Sequence, residues 1–262
     1  MQAKLHDITV NYEIDGPEDA PVIACSHCLA GNSGIWDAQV IALREKYRIV
    51  RFDTRGHGKS SAPEGPYSME MLADDVVDLF DEIGIRKAHF MGISMGGMIA
   101  QTLALKHPEC ISSLILCDTA CGIPEDAHPV WDERIQTVSE QGMTAVADAT
   151  LDRWLSPDFQ THSPATTERI REMILKTPVP GFVGCAHAIR NFDVTARLPK
   201  ISIPTLIMVG ENDPGTPVEA ARQIQENIRG AELAILPQAY HLSNIEAADD
   251  FNKRLTGFLA KL

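Results

Sequence analysis

The stretch Ala88-His89-Phe90-Met91-Gly92-Ile93-Ser94-Met95-Gly96-Gly97 decides the fold. Residues 88–92 form a short apolar run of strand length, and residues 94–106 carry a helical pattern that stops near Pro108. At their junction Gly92-Ile93-Ser94-Met95-Gly96 matches G-x-S-x-G, a sharp strand-to-helix turn that exposes a serine. The turn pushes Ser94 into strained backbone, so its flanks must lack bulk. Gly92 and Gly96 meet that need, and Gly97 lets the helix pack closely. The hydroxyl then stands above the sheet at a helix N-terminus, where developing negative charge is favoured. Five residues alone could equally describe a glycine-rich turn with Ser94 as a helix cap. Their place between strand and helix points to a nucleophile.

Outward from this turn the chain alternates short apolar runs with helical periods. Residues 21–26, 47–52 and 111–117 read as strands, and residues 36–44 and 68–83 as helices. Ser68 suits an N-cap, and Gly84 a C-terminal stop. Such alternation predicts an α/β fold: a mostly parallel sheet with helices on both faces. The rhythm breaks between 124 and 199, which reads as helical, polar and proline-bearing. It resumes with a strand at 205–210, a helix at 218–228, a strand at 232–236 and a last helix at 245–262. The expected organisation is a core of residues 1–123 and 200–262. Residues 124–199 form a helical cap over the C-terminal edge of the strands, where open α/β sheets bind ligands.

A serine hydroxyl needs a base. The motif predicts an acid and then a histidine downstream. Asp213 follows the strand at 205–210, and His241 follows the next strand, 28 residues later. Both would project from the edge that carries Ser94, with His241 taking its proton and Asp213 holding the imidazole tautomer. Glu211 and Asp118 are competing acids, the second because it follows the strand at 111–117. Of the other histidines, His89 reads as a satisfied strand residue and His107 as a helix-end cap. His57 and His187 have no partner visible in sequence. The tetrahedral oxyanion needs two backbone donors. The amide of Met95 is one; the other is expected at Leu29, in Ser26-His27-Cys28-Leu29-Ala30-Gly31.

Other motifs fail on spacing. Asp53-Thr54-Arg55-Gly56-His57-Gly58-Lys59-Ser60 ends like a phosphate-binding loop, but Asp53 stands where the first glycine belongs. Ser61 replaces the third glycine of a dinucleotide fingerprint, so tight-turn packing better explains Gly56 and Gly58. Cys25-Ser26-His27-Cys28 has no second pair for zinc, and it lies in strand and loop rather than in a redox helix. No metal or cofactor is implied.

Composition narrows the class. The chain has 262 residues, 44% hydrophobic and 23% charged, as expected of one globular domain with an insertion. Its net charge of −13 argues against nucleic acid and anionic membranes, which recruit Lys and Arg. Acids gather on helix faces such as 73–78, which read as solvated. No apolar run is long enough to cross a bilayer, and the first ten residues lack a secretory apolar region. A cytoplasmic location is therefore expected, with the six cysteines as free thiols. Homo-oligomerisation is left open.

Along essentially its whole length the sequence resembles the α/β-hydrolase family, and within it the 3-oxoadipate enol-lactonases. The resemblance rests on residues 51–60, Gly65-Pro66-Tyr67 and 92–97. It extends to Gly142-Met143 with Arg153-Trp154, Ala188-Ile189-Arg190 before Asp193, and residues 241–246. It departs at His27-Cys28, where the enol-lactonase pattern has Asn-Ser. It implies a small-molecule substrate, an unsaturated γ-lactone bearing a carboxylate, hydrolysed to 3-oxoadipate. An anion meeting a chain of net charge −13 needs local cations. Arg134 and Arg190 lie in the cap, and one or both are expected to bind the substrate carboxylate, against the alternative that both form surface or interdomain salt bridges. Trp154 and Trp131 are expected to line the pocket or to pack in the core. Three same-triad alternatives stand beside this reading: a general carboxylesterase, an acyl-homoserine lactonase and a C–C bond hydrolase. A non-catalytic ligand-binding protein on the same fold is the alternative of a different class.

Overall fold

The computed structural model describes residues 1–262. Eight strands form the central sheet: β1 (Gln2–Lys4), β2 (Thr9–Asp15), β3 (Val22–Ser26), β4 (Arg48–Phe52), β5 (Ala88–Ile93), β6 (Ile111–Cys117), β7 (Thr205–Gly210) and β8 (Glu232–Leu236). Their order across the sheet is β1-β2-β4-β3-β5-β6-β7-β8. β1 pairs antiparallel with β2, and β2 antiparallel with β4. Every other pairing is parallel. Strands covered on both faces must be apolar throughout. Accordingly Ile23, Ala24 and Cys25 of β3 and Leu206 to Val209 of β7 are all buried. β1 and β2 escaped the sequence reading. β1 is the edge strand, and β2, between β1 and β4, shows no continuous apolar run but alternates Val10, Tyr12 and Ile14 with polar residues.

The helices before β6 are α1 (Asp37–Leu43), α2 (Met69–Glu82) and α3 (Met95–Lys106). Between β6 and β7 lie α4 (His128–Gln141), α5 (Ala147–Trp154), α6 (Pro157–His162), α7 (Pro164–Leu175) and α8 (Val179–Arg190). α9 (Val218–Asn227), α10 (Ser243–Glu246) and α11 (Ala248–Leu259) complete the chain. The single helix expected at 245–262 is thus two, broken at Ala247 (φ −115°, ψ 41°).

α2 illustrates how sequence fixes an element. Ser68 Oγ accepts the Met71 amide and starts the helix, and Gly84, at φ 73°, follows its end. Met69, Leu72, Ala73, Val76, Leu79 and Phe80 form the buried stripe. Leu72→Ala would cost about 2–5 kcal/mol by leaving a cavity. The opposite face is less idle than its acidity suggested. Asp75 pairs with the buried guanidinium of Arg55 at 2.7 Å, and Asp74 holds Lys106 at 2.6 Å.

Candidate active site

Ser94 sits between β5 and α3 at φ 55° and ψ −116°, a region that L-residues rarely occupy. The glycines around it are there for close approach. A Cβ on Gly92 would come within 2.1 Å of the Gly96 carbonyl oxygen, and one on Gly96 within 2.3 Å of the Ser26 carbonyl oxygen. The elbow is tied down by the Ser94 amide, which donates to Cys117 O at 2.9 Å. The Thr119 hydroxyl donates to Ser94 O at 2.7 Å. Ser94 is half-buried while its neighbours are buried, so its hydroxyl is the accessible feature of the turn.

Ser94 and His241 line one cleft of about 450 Å³. His241 Nδ1 lies 2.8 Å from Asp213 Oδ2, and the Trp154 indole stacks near the imidazole, 6.4 Å between centroids. Asp213 is cradled by further donors: the Gly215 and Thr216 amides on Oδ1 at 2.7 and 3.1 Å, and the Thr216 hydroxyl on Oδ2 at 2.6 Å. Burial alone would raise the Asp213 pKa, but the His241 charge and these hydrogen bonds outweigh it and hold the carboxyl below its usual range. For His241 burial works downward, and the Asp213 carboxylate wins and raises the pKa above the ordinary 6.5. An imidazole so placed is a base oriented by an ion behind it.

The competing acids are engaged elsewhere. Glu211 accepts the Gln238 amide at 3.0 Å on the exposed side of its loop. Asp118 accepts the Gly210 amide at 2.8 Å and the Ser243 hydroxyl at 2.5 Å. Its burial, reinforced by the Asp213 charge, pushes its pKa well above the usual range.

Leu29 lines the cleft beside Ser94, and Met95 opens α3, where first-turn amides lack intrahelical acceptors. The segment between β3 and α1 is braced by two wholly buried histidines, His27 and His57, the second of which had no partner visible in sequence. His27 Nδ1 lies 2.7 Å from Cys28 O, and His57 Nε2 accepts the Ala30 amide at 3.0 Å. A motif search has no signal for such ring-to-backbone contacts, because their partners are peptide groups. The tight turns expected at Gly56 and Gly58 are present, with φ of 83° and 55°.

Of the expected carboxylate ligands, the structure brings only Arg134 to the cleft. Its guanidinium stacks 4.8 Å above Trp131 and 5.7 Å from Phe182. Arg190 belongs to the surface instead: its Nε and Nη2 fork onto Asp132 at 2.5 and 2.9 Å, outside the cleft. The expectation for Arg190 is corrected accordingly, since α8 turns Ile189 inward and carries the next side chain past the rim. Arg153, not singled out as a ligand from sequence, stands in the cleft instead. It lines the cleft next to Trp154, and its one hydrogen bond runs to the Thr150 hydroxyl at 3.3 Å. Both cleft guanidiniums lack an ion-pair partner. Burial lowers both pKa values, that of Arg134 to about 10. Trp131 and Trp154 line the same space, together with Met98, Ile123 and Ile189.

No helix is long and apolar enough to cross a membrane. The α/β-hydrolase fold family matches residues 21–248. A 3-oxoadipate enol-lactonase of Acinetobacter baylyi is 37% identical over 246 residues, which is 94% of this chain and 91% of that protein. The crystal structure of the enol-lactonase from Burkholderia xenovorans superposes with a TM-score of 0.96 at 37% identity, covering 99% of this chain and 100% of that one. A thermophilic esterase from Thermogutta terrifontis, solved with malate bound, gives 0.93 at 28% identity, covering 100% and 98%. The elbow, the sheet order and these likenesses agree: the chain is an ester-hydrolysing enzyme and belongs to the α/β-hydrolase fold family.

Proposed function

We propose that this enzyme opens a carboxylate-bearing enol-lactone, 3-oxoadipate enol-lactone in the first place, by acyl transfer through Ser94. The observation that carries the proposal is one cleft holding Ser94, His241 and two guanidiniums without carboxylate partners. Uncompensated cations in a half-buried site are costly unless a ligand supplies the counter-charge. The carboxylate would sit on Arg134 and Arg153, which leaves the ring carbonyl facing Ser94. Trp131 and Trp154 would wall the ring, and residues 124–199 would act as the cap.

Ser94 Oγ attacks the lactone carbonyl as its proton passes to His241 Nε2. Asp213 stabilises the imidazolium formed. The Leu29 and Met95 amides hold the oxyanion. Collapse breaks the ring C–O bond, and the proton on His241 goes to the departing enol oxygen. The enol then tautomerises to the ketone. Water, deprotonated by His241, attacks the acyl-enzyme; the same proton returns to Ser94, and the second carboxylate is released. No cofactor is needed.

A broader esterase reading is favoured by the apolar wall of Met98, Ile123 and Ile189, which suits a plain acyl chain. Following the ultraviolet loss of 3-oxoadipate enol-lactone decides between them. Turnover by the wild type and none by Ser94→Ala is expected. Hydrolysis of nitrophenyl acetate with none of the enol-lactone would overturn the lactonase reading. No turnover of either above Ser94→Ala would leave a binding role.

A further inference from the structure

We propose that His57 is a positioning residue for the oxyanion pocket: its ring takes the Ala30 amide away from the cleft and leaves the Leu29 amide turned toward Ser94. The proposal rests on the reading of Leu29 as an oxyanion donor.

The segment concerned is pressed against the serine elbow, because a Cβ on Gly96 would meet the carbonyl oxygens of Ser26 and His27 at 2.3 and 3.0 Å. It makes an abrupt turn in which Ala30 takes φ 62°, a conformation an alanine keeps only when its surroundings hold it. The holding contacts are specific. The Ala30 amide donates to His57 Nε2 at 3.0 Å, and the Ala30 carbonyl accepts the Thr177 hydroxyl at 3.3 Å. The Gly31 amide donates to Cys28 O at 3.0 Å, and His27 Nδ1 donates to that same oxygen at 2.7 Å. In a trans peptide the N–H points opposite to the C=O. Gripping Cys28 O from one side therefore aims the Leu29 N–H to the other. Of the amides of residues 29–31, that of Leu29 alone has no acceptor within the protein.

The tautomer of His57 is fixed by its other nitrogen. Nδ1–H donates to Arg55 O at 3.2 Å, which leaves the Nε2 lone pair for Ala30. Burial, aided by neighbouring His27 at 5.1 Å between centroids, pushes the His57 pKa down to about 3. The ring stays uncharged, and Nε2 stays an acceptor wherever the enzyme works. His57 thus gives a purpose to the segment after β4, whose motif resemblances failed on spacing. From there it reaches across to the loop after β3. Asp53 makes the same crossing through the Ser33 amide at 2.8 Å.

The test compares His57→Ala and His57→Gln with the wild type. Glutamine keeps an acceptor oxygen that can reach Ala30; alanine does not. Removing a whole oxyanion donor costs about 10² to 10³ in kcat, so a misaimed one should cost His57→Ala about 10- to 100-fold, with KM within about two-fold. Affinity for butylboronic acid, which forms a tetrahedral adduct on serine, should fall by the same factor. Affinity for adipate, which forms none, should not change. His57→Gln should recover most of both losses, and thermal midpoints show whether each variant is folded. Unchanged boronate affinity in a folded His57→Ala, or a folded His57→Gln as impaired as His57→Ala, overturns the proposal. If the wild type binds no more boronate than Ser94→Ala, the underlying serine-hydrolase reading falls first, and this proposal with it.

Discussion

Replacing Arg134 by methionine separates charge recognition from shape. The guanidinium lies over Trp131 at 4.8 Å with no carboxylate beside it, and burial has already lowered its pKa to about 10. A substrate carboxylate brought to ~4 Å would gain roughly 4 kcal/mol at an effective dielectric constant of 20. Dehydrating that carboxylate takes part of the gain back, and hydrogen bonds to charged groups contribute about 1.5–3 kcal/mol net. At about 1.4 kcal/mol per decade, the variant should lose about 10- to 150-fold in kcat/KM on the carboxylated enol-lactone. Methionine keeps an apolar stem against Trp131, so the wall survives. A neutral lactone such as dihydrocoumarin should be hydrolysed within about two-fold of the wild-type rate, because a retained wall costs little. The assay is initial rate by ultraviolet absorbance on both substrates. Equal losses on the two would mean that Arg134 supports packing and reads no charge, and the argument from unpaired guanidiniums would fail.

Three further outcomes follow from the same geometry. Asp213→Asn should lower kcat by about 10⁴, since an amide behind the ring selects the wrong tautomer, whereas Asp118→Asn should stay within about ten-fold; initial rates of folded variants check both. As the proposed general base His241 must be neutral, and Asp213 raises its pKa above 6.5, so kcat/KM should fall as pH drops through a value higher than that of a free histidine. A pH–rate profile whose acid limb lies below 6.5 would contradict the ion pair. Arg190→Ala removes an exposed fork onto Asp132 and should leave kcat/KM within about two-fold on every substrate.

Much of the architecture was legible in sequence because buried parallel strands announce themselves. β6 and β7 fall at the expected residues as buried apolar runs, and β8, an edge strand, does so because Leu233 to Leu236 is itself a short apolar run. The hairpin of β1 and β2 was passed over by a reading keyed to continuous apolar runs, although β2 carries the half-buried alternation of Val10, Tyr12 and Ile14 with Thr9, Asn11, Glu13 and Asp15. Ser94 and Leu29 were legible through the elbow and the loop order, and both reach the cleft. Residues 124–199 were legible only as helical. Which side of a helix faces a cleft depends on how it packs against its neighbours, and α4 and α8 pack against each other. For that reason Arg134 and Arg190 looked alike in sequence. The structure turns one over Trp131 and the other onto Asp132. Arg153 was visible only as a neighbour of Trp154. His27 and His57 were invisible, because they bond to backbone groups and every residue type supplies those.

The two acidic candidates show most clearly what spacing leaves undecided. Asp118 and Asp213 follow adjacent parallel strands and emerge at the same sheet edge, so chain order admits either behind His241. What separates them is the set of donors each one meets. Asp213 receives the imidazole, a hydroxyl and two amides, all of which favour the ionised form. Asp118 receives one amide and one hydroxyl in a fully buried place beside that charge, so burial and repulsion hold it toward the neutral form. A neutral carboxyl cannot stabilise an imidazolium, but it can pin the loop that carries one. Through Gly210 and Ser243, Asp118 joins the end of β7 to the start of α10, two residues beyond His241. An asparagine can make the same two contacts without charge, which is why Asp118→Asn should be mild where Asp213→Asn is severe. If both substitutions silenced the enzyme equally, with fold intact, the charge would be shared between the two carboxyls, and the division of labour argued from their donors would be wrong.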